Sequence, residues 1–176
     1  LGESILSAGS NFAGLDWNAT TIGAFLTAFV GTVAMWWIYF NVGADYASRK
    51  ISESRDPGRL GRLAYTYLPI VFVGGIIVSA VGDDLMLAHP WGGEEAGNAA
   101  LFAIAGGAAL YVFGNLLFKA SVSGHRSLSH LVGLVLFVIL LIFGAALPPL
   151  IVGVFSTAIL ILVAAWEFIS LKSLRE

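Results

Sequence analysis

Cysteine is absent from the 176-residue chain, which removes disulfides, thiolate nucleophiles, cysteine-held metal centres and thioether haem attachment together. Charge is scarce as well: 11% of residues are Asp, Glu, Lys or Arg, against about 25% in a water-soluble domain. A soluble fold is excluded by that figure, and so is disorder, which goes with few apolar residues and a high net charge. Enzyme signatures are missing too. There is no phosphate-binding P-loop, no dinucleotide-binding glycine fingerprint, no G-x-S-x-G elbow and no H-E-x-x-H pair. The expectation is therefore a protein that is not an enzyme and carries no cofactor. The start of the chain lacks both a basic n-region and an initiator methionine, so we expect no signal peptide and a piece of a longer chain.

What is present is apolar surface, at 58% of residues and a mean hydropathy of +0.88. Crossing a hydrocarbon core of about 30 Å takes about 20 apolar residues as helix. Five such runs occur, over 19–43, 63–82, 99–118, 131–147 and 150–171, and residues 1–10 read as the second half of a sixth helix. Barrel strands would alternate apolar and polar residues over about 10 positions, whereas these runs are continuously apolar. The expected fold is all-α: one polytopic transmembrane bundle over residues 1–176, with the lipid bilayer as its first partner.

The nine basic residues fix an expected orientation. Arg49, Lys50, Arg55, Arg59 and Arg62 lie between the first two full spans, Lys119 and Arg126 between the third and fourth, and Lys172 and Arg175 after the last. The alternate connections carry none, so the positive-inside rule puts the basic connections and the C-terminus on the cytoplasmic side of the membrane. Topology thus accounts for the basic residues, and nucleic-acid binding is not expected. Trp17 and Trp91 fall at the predicted outer ends, and Trp36, Trp37, Tyr39, Tyr65, Tyr67 and Trp166 toward the inner ends, as an interfacial aromatic belt would place them. The stretch "DYASRKISESRDPGRLGR" reads as a solvated loop.

Glu3 is the first candidate for chemistry, because an intramembrane carboxylate is costly and normally faces protein, a partner or water. Ser7 and Ser10 follow at i+4 and i+7 on the same helix face. Two roles stay open: a protonated side chain acting as helix glue, or a site for a proton, cation or solute. Thr20, Thr27, Gly31, Ala34 and Asn41 form a small and polar seam at heptad-like spacing. Ala108, Tyr111 and Asn115 do the same in the third span, and Gly74, Gly75 and Gly82 in the second. Close helix packing explains such seams. Asn41 and Asn115 join Glu3, Ser7 and Ser10 as a candidate intramembrane polar site. Asp83, Asp84 and His89 are expected in an acidic outer loop with Glu94 and Glu95, as a candidate outer entrance that enriches cations; their spacing matches no metal motif, so metal binding is left unassigned. Asn18 reads as a helix N-cap, Glu167 as reaching the inner interface or pairing with Lys172, and His125 and His130 as ordinary loop and helix-end residues.

The ordered set "LGESIL", "WWIYF", "AYTYLPIVFVGGIIVSAVGDDLMLAHP", "ALYVFGNLLFK" and "AAWE" resembles the C-terminal half of the bacterial low temperature requirement A family over essentially the whole chain. The resemblance implies a longer polytopic inner-membrane protein linked to growth in the cold, whose missing N-terminal half, or a second copy, would cover the polar seams. It supports Glu3 as a family feature without giving it a role. Asn41 stands where the family usually has an aspartate, and Pro69 near a position where it often has a histidine. Membrane transport of an ion or small solute is the function expected. A non-catalytic scaffold or a cold and stress-adaptation factor is the alternative.

Overall fold

The computed structural model describes residues 1–41, 57–93, 97–123 and 127–172, all organised around helices. We number them α1 (Gly2–Ala13), α2 (Ala19–Asn41), α3 (Leu68–Ala88), α4 (Gly107–Ser123), α5 (Leu128–Phe143) and α6 (Pro149–Lys172). A helical turn, Pro57–Arg62, and a π-helical turn, Leu63–Tyr67, lead into α3; Gly97–Leu101 and a second π turn, Phe102–Gly106, lead into α4. Five helical segments are long and apolar enough to cross a membrane: Ala19–Phe40, Tyr65–Ala88, Asn98–Ser121, Leu128–Ala146 and Pro149–Ser170. These are the five expected spans, and no strand occurs among the described residues.

Apolar and polar groups are distributed as a bilayer requires. Phe40, Ile70, Phe102, Val135 and Ile169 point outward and stay exposed, while Thr32, Asn115, Lys119, His130 and Glu167 are buried within the bundle. Trp17 and Trp91 are exposed at one end; Trp36, Tyr65, Tyr67 and Trp166 are exposed at the other. Trp37 instead turns partly inward onto Phe168.

Glycine sets the closest contact. Phe72 lies opposite Gly114, Gly75 opposite Tyr111, Ser79 opposite Gly107 and Gly82 opposite Ile104, an antiparallel α3–α4 register that advances by three or four residues at each step. A Cβ on Gly75 would come 2.5 Å from the Tyr111 backbone nitrogen, and one on Gly107 2.5 Å from that of Ser79. Side chains there would force the backbones apart, which is why the small residues of the expected seams sit at this contact. Gly74, one residue away, faces only the end of Leu110 at 3.9 Å and is not part of it. On the other side of the bundle α2 meets α6, where Gly31 faces Thr157 and the Thr157 hydroxyl donates to the Thr27 carbonyl at 3.2 Å.

Two boundaries differ from expectation. α3 runs on to Ala88, so Asp83 and Asp84 are helical rather than part of the outer loop. Met86 and Leu87, at 0% and 2% exposed, anchor that last stretch in the core, and packing outweighs the low helix propensity of two aspartates. α1 likewise continues to Ala13, where Phe12 stacks between Trp17 and Phe25. Asn18 caps α2 as expected: its Oδ1 accepts from the amides of Thr20 at 2.9 Å and Thr21 at 3.0 Å.

Candidate functional site

Two groups of polar side chains lie inside the bundle, one around mid-span and reaching toward the end of Trp17 and Trp91, the other near the opposite end. The first surrounds a small cavity where α2, α3 and α6 meet the π turn before α4. Thr27, Gly31, Ser79, Asp83, Ser156 and Thr157 are among its lining residues, and its volume is about 20 Å³. That is room for one water or one dehydrated small cation. Thr27 gives its hydroxyl to the Gly23 carbonyl at 2.8 Å, and Thr157 gives its own to Thr27. Both hydroxyl oxygens keep acceptor capacity after those bonds. The Ser79 hydroxyl is buried and has no partner among the described residues. Asp83, one helical turn further along α3, accepts no hydrogen bond from a described residue. A carboxylate, an idle hydroxyl and further hydroxyl oxygens around an ion-sized space are hard-oxygen ligands of the kind that hold a small cation or a water.

The neighbouring acid has another task. Asp84 Oδ1 accepts from Asn11 Nδ2 at 2.6 Å and so ties α1 to α3. His89 is the C-terminal cap residue of α3, half-buried, with Nδ1 enclosed and without a partner among the described residues. Asp83, Asp84 and His89 therefore share one end of the bundle, but Asp83 faces the cavity while Asp84 serves a helix contact.

The candidate intramembrane site is not gathered in one place. Glu3 and Ser10 are exposed and Ser7 is half-buried, on the face of α1 opposite its buried Ala8. Asn115, by contrast, is 2% exposed on α4 and donates to the Tyr111 carbonyl at 2.9 Å. Tyr111 in turn gives its hydroxyl to the Met35 carbonyl. The side chain of Asn41, at the end of α2, lies outside the described residues, as do Glu94, Glu95 and His125.

The second group was missed by sequence reasoning. Lys119 of α4, His130 of α5 and Glu167 of α6 meet at the end of the bundle that carries the basic connections. Lys119 Nζ donates to Glu167 Oε1 at 2.5 Å and lies 3.0 Å from His130 Nε2. His130 Nδ1 faces Ser127 Oγ at 3.1 Å and Ser129 Oγ at 3.2 Å. Glu167 thus reaches across to another helix in a buried ion pair and does not snorkel to the interface; the side chain of Lys172, its other expected partner, lies outside the described residues. His130 is fully buried and not an ordinary helix-end residue. One signal was available: Lys119 and Glu167 are ionisable residues of opposite charge set in apolar runs, at a similar depth from the same end; His130, which follows the polar stretch "GHRSLS", carried none. Among the described residues, no group of three or more His, Cys, Asp or Glu side chains is placed to hold a metal.

Comparison with known proteins follows the same outline. The family model for bacterial low temperature requirement A protein matches residues 1–165. An uncharacterized protein, RA0937, of Rhizobium meliloti (strain 1021) is 34% identical over 179 residues, covering 100% of this chain and 42% of the relative. The chain thus spans less than half the length of that curated relative. No solved structure matches.

Proposed function

The chain belongs to the bacterial low temperature requirement A family, and from that premise we propose that it is part of an inner-membrane protein that moves a small cation or other small solute. The observation that carries this reading is the cavity among the spans, with Asp83 and the unpartnered Ser79 hydroxyl on its wall. A carboxylate at that depth is costly to keep for packing alone, and intramembrane acids that face an internal space commonly mark ion paths. By the positive-inside rule the cavity lies in the outer half of the membrane and the Lys119 group toward the cytoplasm. Glu3, Ser7 and Ser10 then belong to a polar face that an upstream part of a longer chain, or a second copy, covers.

The test is ion-dependent flux in liposomes carrying the full-length protein, with Asp83→Asn and Glu3→Gln beside the parent. Flux in the parent that is lost in Asp83→Asn supports the reading. Zero flux for every ion tried in the parent sinks it. The second reading is a non-catalytic scaffold or stress-adaptation factor. It is favoured by Tyr111, Asn115 and Thr32, whose side chains all donate to backbone carbonyls as packing groups do. Under it, Asp83→Asn changes thermal stability and nothing else.

A further inference from the structure

The Lys119 group takes no part in the cavity, and its geometry has a direction. A lysine ammonium has three donors and no acceptor, so while Lys119 is charged His130 Nε2 must accept from it. The imidazole hydrogen then sits on Nδ1, facing the hydroxyls of Ser127 and Ser129. Those two hydroxyls are themselves 2.8 Å apart, and Ser127 is half-buried at the N-cap position of α5. An unbroken chain of polar contacts therefore runs from an enclosed carboxylate, Glu167, through Lys119 and His130 to the end of the bundle. Glu167 is also not saturated: its Oε2 is buried without a partner among the described residues. An ion pair kept for stability alone offsets its desolvation by satisfying its remaining lone pairs. This one leaves an acceptor idle.

We propose that Lys119, Glu167 and His130 form a proton-exchange site that opens through His130 and Ser127. In the loaded state the Lys119 ammonium lies between the Glu167 carboxylate and the neutral His130 ring. On unloading, an N–H bond of Lys119 breaks and one forms at His130 Nε2. The Nδ1–H bond breaks, and its proton passes by way of Ser127 Oγ to water at the bundle end. One proton leaves, and the Lys119 amine then accepts from the new Nε2–H. Loading is the reverse. Among the described residues, Tyr111 of α4 is the further titratable group that faces Glu167, and its hydroxyl is committed to the Met35 carbonyl; Tyr39 of α2 neighbours Tyr111 and is itself partly exposed. Arg59 and Arg62, in the turn leading into α3, are exposed. Buried lysines are suited to such a role because their charge state responds to their surroundings, as that of arginine does not.

The inference rests on the transport reading only in making the proton a coupling ion; proton binding itself can be measured without flux. The experiment is nitrogen NMR of the full-length protein in liposomes, with lysine side-chain nitrogen labelled, as pH is stepped from mildly acidic to mildly alkaline. The expected result is one lysine signal that exchanges between ammonium and amine positions and is missing in Lys119→Arg. Its transition moves to a different pH in Glu167→Gln, and its response to a pH jump slows in His130→Gln. If Lys119→Arg does not fold, the signal is assigned in the unmodified protein by through-space transfer to a histidine ring. A Lys119 signal that stays ammonium at every pH at which the fold persists overturns the proposal. A titrating signal without flux leaves the site standing and removes the transport reading.

Discussion

The two ends of the bundle treat buried polarity in opposite ways. At the Lys119 end an amine, a carboxylate and an imidazole from three helices engage one another, with two serine hydroxyls beside them. Toward the Asp83 end a carboxylate and a serine hydroxyl face a space and meet no partner among the described residues. Engagement across helices makes a region rigid and sensitive to the loss of any member, whereas polar groups that face a space cost stability until something occupies it. The contrast separates a group that ties helices α4, α5 and α6 together from one arranged around a space.

That contrast breaks most sharply at Glu167. Glu167→Ala strands a lysine ammonium inside the bundle, and the expected loss is about 3–5 kcal/mol, read as a lowered melting temperature of the full-length protein in detergent. Lys119→Met combined with Glu167→Leu should recover most of it; no recovery would mean that the pair's charges are not the source. Between the two regions runs the close α3–α4 contact, so Gly75→Leu tests whether they share a frame. Overpacking against Tyr111 should cost about 1–3 kcal/mol, and equal melting temperatures would show that the helices can separate freely. Ser79→Ala goes the other way. Removing a buried hydroxyl that has no partner among the described residues should be neutral or stabilising by about 1 kcal/mol, and a clear destabilisation would reveal a hydrogen bond made by a bound water or ion. Smallest is Asn11→Ala, expected to cost about 0.5 kcal/mol through its exposed bond to Asp84; a loss as large as that of Glu167→Ala would make α1 integral to the bundle.

Much of the frame was legible because a bilayer leaves a chain few choices. Length and hydropathy located all five spans, and the small residues Gly31, Gly75 and Gly82 marked places where helices touch. What escaped was which helix meets which. Lys119 could be counted as one more basic residue, and Glu167 could be paired with the nearest lysine in sequence, because periodicity orders residues along one helix and says nothing of its neighbours. The continuation of α3 through Asp83 and Asp84 was missed for a related reason. Local propensity ends a helix at two aspartates, and only the tertiary burial of Met86 and Leu87 keeps it going.

The π turn Phe102–Gly106 sits beside the cavity and contributes Ile104 to its wall. Such a turn holds one residue more than an α turn, and one residue of α-helix corresponds to about 100° around the axis. It therefore works as an angular offset built into a single rod. Residues after it are indexed to the glycines of α3, and residues before it are swung to a different bearing. Loss of one residue from Phe102–Gly106 would leave the helix nearly as long and just as apolar, yet turn its first segment, Gly97–Leu101, by roughly a quarter of a revolution. For this helix, residue count within the turn carries information that hydropathy does not.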